Sequence, residues 1–310
     1  MTMSSSATKN LSRDAATVAD SLSAMMEKEL TVYSCTGYLN MTQFHSPPNN
    51  SNSKTMTMIT SNDRMALVDW CYAVVDHCQY SRETVASAMD MVDRFLSIPS
   101  NSTADKALRS PDLLQMLVVT ALYVAIKLNE RVVMSSSLFA EITRYVYTVE
   151  EIEDMERTLL SGLSWRCCAP TASQIGHSIL SLILPYVDVS DASWGYVMDE
   201  MIYQIEYAVR DYYFCTQRAS TIALAAICNA VIKDGKRISI HEHRVFLEAL
   251  PRIKECFSFD STEVIVAACK RLQVLRQENG EEADDVVPEA STSKYTEERS
   301  VMELGLHLLS

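Results

Sequence analysis

The chain has 310 residues, enough for two ordinary domains, and a formal net charge of −13. That charge argues against nucleic acid or an anionic membrane surface as the main partner. It contains 7 glycines, no two spaced to cradle a phosphate, 8 prolines and 48% hydrophobic residues. Few breakers and long periodic segments predict an all-α fold with sizeable cores.

The first residues, "MTMSSSATKNLSRDAAT", lack the apolar stretch of a secretory signal. Residues 1–14 are expected to be disordered. Residues 15–34 show one apolar face, with Val18, Leu22, Met25, Met26 and Leu30, and predict an amphipathic helix. Residues 36–62, with Pro47-Pro48 and "NNSNSK", read as a polar loop or linker, so that 15–60 form a helix plus linker ahead of the first domain.

A first block of five helices follows over 61–171. The segments are 63–78, 81–98, 110–128, 135–146 and 148–163. Ser81 and Thr84 are candidate caps of the second. Ser110 followed by Pro111 is a start signal for the third. Thr148 and Glu151 have capping-box spacing at the head of the fifth, which stops near Gly162. Between the second and third lies "PSNSTADKALRSP", read as a long loop. The third helix, "LLQMLVVTALYVAIKL", is apolar almost all round, which predicts a central position in the bundle. No stretch is read as long and apolar enough to span a bilayer.

A second block of five helices is predicted over 172–277, with segments near 171–187, 190–211, 215–234, 239–257 and 260–277. Its third helix is again small, apolar and central in character, which suggests duplication at the level of fold. Residues 278–310 form an acidic tail expected to be disordered.

Nine cysteines, an odd number with no CxxC pair, read as reduced thiols of a cytosolic or nuclear protein. The "HEH" at 241–243 has no third ligand nearby and reads as exposed polar residues. No Gly-rich loop, metal cluster or nucleophile with a paired histidine is present in the pattern, so neither catalysis nor a cofactor is expected.

Two charges are out of place. Lys127 interrupts the apolar third helix one residue before its end. On the fifth helix, at ~100° per residue, Val149, Ile152, Met155, Leu159, Leu160 and Leu163 share an arc of about 140°. Glu156 falls inside that arc and is its only charged residue. One account is structural. A lysine suits the last turn of a helix, and the two charges pair with each other. The other is that both lie at the rim of an apolar patch and meet a partner.

"RMALVDWCYAVV", "MDMVDRFLS", "LQMLVVTALYVAIKLNER", "YTVEEIEDMERTLLSGLSW" and "APT" occur in the order and approximate spacing of the cyclin box. Over 61–171 the chain resembles the cyclin family. The second block is similar to the weaker C-terminal cyclin fold, as in two-box cyclins of the D- or A/B-like types. The resemblance implies two consecutive five-helix cyclin-box bundles and a non-catalytic subunit that activates a cyclin-dependent serine/threonine kinase in the cell cycle. A helical adaptor without a kinase is the alternative. The positions that hold the kinase main chain in that family are Lys127 and Glu156 here. Leu128, Leu160 and Trp165 are the apolar candidates beside them, Trp165 having a rival reading as an inter-domain core residue. Arg64 and Asp93 correspond to the family's bridge between the first two helices. Leu67, Trp70 and Gln115 match a patch that docks substrates with basic-hydrophobic motifs. Asp63 and Ala73 depart from its pattern, and "LNER" keeps one acidic residue, Glu130, where two are usual. Nucleus and cytoplasm are the expected locations.

Overall fold

The computed structural model describes residues 5–39, 59–183, 190–233, 241–242, 246, 249–250, 253 and 256–278. The acidic tail and most of the polar linker predicted above lie outside them. The described residues are helical and contain no strand. They divide into two compact units.

The unit that carries the site comprises 34–169 and 209–216 among the described residues. Its helices are α2 (Ser61–His77), α3 (Glu83–Leu96), α4 (Ser102–Ala107), α5 (Pro111–Asn129), α6 (Ser136–Ile142) and α7 (Val149–Gly162), with a 3-10 turn at Tyr212–Thr216. Their starts follow from local chemistry. The Thr60 hydroxyl accepts from the Asp63 amide while the Asp63 carboxylate accepts from the Thr60 amide at 2.8 Å. Asp63 is thus the N3 partner of a capping box. Ser110 caps α5 with Pro111 in its first turn, and Thr148 and Glu151 cap α7 reciprocally, as their spacing predicts.

The start of α3 is different. Its N-cap, Arg82, makes no side-chain cap bond. The Ser81 hydroxyl accepts from the Glu83 amide at 3.3 Å, but Thr84 does not cap: its hydroxyl donates to Glu130 Oε1 at 2.5 Å. Glu130 Oε1 also accepts from the Ser81 amide at 3.0 Å. The carboxylate that follows α5 therefore covers the positive end of α3.

Helix α5 is the core of this unit. Leu117, Ala121, Leu122, Ala125 and Ile126 are fully buried, and α2, α3, α4 and α7 all pack against it. One reading needs correction here. By length and composition α5 is long and apolar enough to cross a membrane, yet 67% of that window is buried inside the protein. It is apolar all round because other helices surround it. At the end of α7, a Cβ on Gly162 would lie 2.6 Å from a ring carbon of the buried Phe95, so only glycine permits this approach. The segment read as a loop at 99–111 contains α4, capped by Asn101, whose side chain accepts from the amides of Thr103 and Ala104. Six residues are too few to register as a periodic pattern.

The other unit comprises 170–208 and 217–278 among described residues, together with the N-terminal helix α1 (Ser5–Thr31). Helix α1 begins at Ser5 and so includes residues 5–14 of the segment read as disordered. No Pro or Gly interrupts this stretch, and it extends the amphipathic helix. Helices α8 (Ala172–Ile183), α9 (Asp191–Arg210, its last two residues in the first unit), α10 (Ala219–Lys233) and α11 (Thr262–Glu278) follow. Helix α10 is central, with Ala223, Ala225, Ala226, Ile227, Ala230 and Val231 fully buried. Glu29 of α1 accepts from the Ser220 amide at 2.9 Å and from Arg218 at 2.7 Å, which ties α1 to the start of α10. Glu242 of the "HEH" motif is buried and accepts from the Ser190 amide at 2.8 Å, ahead of α9, while His241 is exposed and His243 lies outside the described residues.

Candidate partner-binding face

Helices α5 and α7 lie side by side, and the ends of their misplaced side chains meet: Lys127 Nζ and Glu156 Oε1 form an ion pair. The ammonium also lies 4.6 Å from the centroid of the Tyr123 ring. The pair is not sealed. The Lys127 side chain is 33% exposed and that of Glu156 14%. An ammonium has three N–H donors and a carboxylate two acceptor oxygens. Neither group makes a further hydrogen bond among the described residues. The two charges therefore pair, as the structural account expects, and they do so at a surface with hydrogen-bonding capacity left over.

That surface is apolar. Leu128 is half exposed, directly after Lys127, and Leu160 is partly buried against the core. Val132, Val133 and Leu138 are also exposed, on the loop after α5 and on α6. The Ser136 hydroxyl donates to Glu153, which links the head of α6 to α7. Single exposed apolar residues are ordinary, but several of them within a dozen positions of Lys127 make this stretch a candidate interaction face. The sequence signal for the three extra residues was "RVVMSSSL", where valines and a leucine interrupt a polar loop.

Trp165 is 75% exposed and is not part of the core of its own unit. Its presentation is built. The chain leaves α7 through Ser164 and Trp165, both in the left-handed region at φ 51° and 62°. Non-glycine residues there cost about 1–2 kcal/mol each. The turn is held by the Trp165 amide donating to the Leu160 carbonyl at 2.8 Å. It is also held by the buried Arg94, whose guanidinium donates to the Arg166 carbonyl at 2.9 Å and pairs with Asp90 at 2.7 Å.

The bridge implied for Arg64 and Asp93 is present and larger than expected. Arg64 Nε donates to Asp93 Oδ1 at 2.9 Å and Nη2 to Oδ2 at 2.6 Å, both residues being buried. Nη1 donates to the Val209 carbonyl at 2.7 Å, and the Tyr38 hydroxyl donates to Asp93 Oδ1 at 2.8 Å. Burial opposes the Arg64 charge, but Asp93 more than offsets this and holds the guanidinium ionised, while burial and the Asp93 charge push the Tyr38 phenol well up. Tyr38 and Val209 were not legible as partners, because each is distant in sequence.

The residues read as a docking patch are buried. Leu67, Trp70 and Gln115 are 7%, 4% and 6% exposed. Leu67 and Trp70 belong to the core cluster of this unit. Docking a peptide needs accessible apolar area, and these side chains offer almost none. No group of three or more His, Cys, Asp or Glu residues that could hold a metal occurs among the described residues.

Comparison with known proteins agrees with this architecture. Residues 34–168 match the family "Cyclin, N-terminal domain". A G2/mitotic-specific cyclin-B2 of Oryzias latipes is 28% identical over 178 residues, 57% of this chain and 42% of that protein. The first relatives found are longer proteins, of which the chain spans 59% or less. A viral cyclin of herpesvirus saimiri has a similar fold, with a TM-score of 0.61 over 83% of this chain and 96% of that one, at 14% identity. A chain of the CAK complex of Chaetomium thermophilum bound to ATP-gamma-S aligns with a TM-score of 0.50 over 98% of this chain and 90% of that one, at 16% identity. Residues 34–168, less than half of the chain, match the cyclin N-terminal domain, and the likeness to cyclins rests on that stretch.

Proposed function

We propose that this chain is a non-catalytic regulatory subunit that binds and activates a cyclin-dependent serine/threonine kinase during the cell cycle. The observation that carries the proposal is the partly exposed Lys127–Glu156 pair, with the exposed Leu128 directly after Lys127 in the chain. The two spare ammonium donors and the spare carboxylate oxygen suit a partner's main-chain carbonyl and amide. Such contacts fix orientation, and the apolar neighbours supply area. A subunit of this kind has no chemistry of its own. It acts by binding the active arrangement of the kinase more tightly than the inactive one, which shifts the population toward it. A relative named as G2/mitotic-specific and a similar fold found in a complex with ATP-gamma-S support this reading.

The test uses Leu128→Asp, a change at an exposed site that leaves the core intact. Affinity purification of the full chain followed by mass spectrometry is expected to recover a kinase with the wild type. The variant should bind that kinase about 30-fold more weakly or worse, because losing an interface anchor costs about 2 kcal/mol or more. Recovery of no kinase, or equal binding by the variant, counts against the proposal.

A further inference from the structure

A pair of thiols in the first unit is placed for chemistry that kinase binding does not use. The sulfurs of Cys35 and Cys215 are 3.4 Å apart although the residues are 180 positions apart in sequence. Both thiols are free and half-buried. The segments that carry them are already held together. The Tyr212 hydroxyl accepts from the Tyr38 amide at 2.7 Å and from the Leu39 amide at 2.9 Å. The Tyr38 and Tyr212 rings meet edge to face at 5.1 Å. Closing the sulfurs to the roughly 2.05 Å of a disulfide needs a movement of about 1.4 Å between them. With the backbones already fixed, little further ordering is required.

We propose that Cys35 and Cys215 are an oxidisable pair, converted by a hydroperoxide to an intramolecular disulfide that pins residues 34–39 to the turn Tyr212–Thr216. Cys35 is the attacking sulfur. Its neighbours Ser34 and Thr36 are exposed, so a small oxidant reaches it from solvent. Contact with Cys35, and then burial, push the Cys215 thiol far up, so Cys215 keeps its proton until its partner reacts. In the first step the Cys35 thiolate takes the terminal oxygen of the peroxide. The O–O bond breaks and the departing oxide leaves as water or alcohol after gaining a proton. In the second step the Cys215 sulfur attacks the Cys35 sulfenic acid and the S–O bond breaks. Hydroxide leaves and takes the Cys215 proton as water. Two thiols lose two electrons and two protons, and one peroxide is reduced. Added thiol reverses the bond by exchange.

The test treats the reduced full-length chain with hydrogen peroxide, blocks residual thiols by alkylation and maps peptides without reduction. The exposed Cys168 and Cys256, and the Cys228–Cys269 pair that also shares a hydrogen bond, are internal competitors. The expected result is a Cys35–Cys215 linked peptide that dithiothreitol removes, with Tm raised by about 5 °C or more. Cys35→Ser and Cys215→Ser each abolish both effects, while Cys168→Ser and Cys256→Ser keep them. Alkylation of Cys35 and Cys215 at undiminished yield, while Cys168, Cys256 or the Cys228–Cys269 pair oxidises, overturns the pairing. A link that forms with no rise in Tm overturns the pinning.

Discussion

Arg64 grips Asp93 with two parallel hydrogen bonds, 2.9 and 2.6 Å long, in the interior of the first unit. The remaining guanidinium nitrogen, Nη1, holds the carbonyls of Val209 and Arg210, at 2.7 and 3.3 Å. One side chain thus joins α2, α3 and the chain's return to this unit near residue 209.

Removing either partner leaves a buried charge uncompensated. Arg64→Ala or Asp93→Ala is expected to destabilise the protein by about 3–5 kcal/mol in chemical denaturation. Arg64→Lys keeps the charge but loses the fork, and should recover only part of that stability. A loss under about 1 kcal/mol for both alanine variants would show that the bridge is ornamental.

Asp90 sets a pH dependence. Burial pushes its carboxyl up to about 6, against the pull of Arg94. The unfolded value is about 3.9. For a raised carboxyl, the stabilising contribution is complete below about pH 4 and is lost as pH rises through 6. Asp90→Asn keeps an acceptor for Arg94 and removes the charge. With the Asp90 side chain 27% exposed, solvent screening limits the expected gain at pH 7 to about 1–2 kcal/mol. The gain should shrink toward zero near pH 4. Denaturation curves of both proteins at pH 4, 5, 6 and 7 read this directly. A gap that stays constant across those values contradicts the assignment.

Thr120 sits in the middle of α5, fully buried, and its hydroxyl has no hydrogen-bond partner among the described residues. An unmet buried hydroxyl costs about 1–3 kcal/mol. Thr120→Val keeps the shape and removes the cost. Its Tm is expected to rise, with a gain of about 1 kcal/mol in urea denaturation. A loss of stability would mean that the hydroxyl is satisfied in solution.

Much of this was legible from the residues alone, for a physical reason. A charge on an apolar face breaks a period, so Lys127 and Glu156 stand out in the sequence. Capping signals are equally local, as Ser110, Thr148 and Glu151 illustrate. Burial is not local. Trp70 and Leu67 carry the residue types of a docking patch, but whether the fold covers them is decided by distant segments. For the same reason the roles of Tyr38, Glu130 and Arg94, each of which acts across the bundle, could not be read from spacing. Trp165 had two readings because a tryptophan suits a core and an interface equally, and its left-handed backbone and exposure depend on how the chain leaves α7, which spacing does not reveal.

The central claim concerns Lys127 and Glu156, and alanine at each tests it. The kinase recovered with the wild-type chain is titrated against Lys127→Ala and Glu156→Ala, with thermal melting followed by circular dichroism. The predicted result is binding weakened by about 30-fold or more in each variant, with Tm shifted by no more than a few degrees, since an isolated, partly exposed pair contributes about 0–1 kcal/mol to folding. Binding at wild-type strength by both variants, with both folded, contradicts the account.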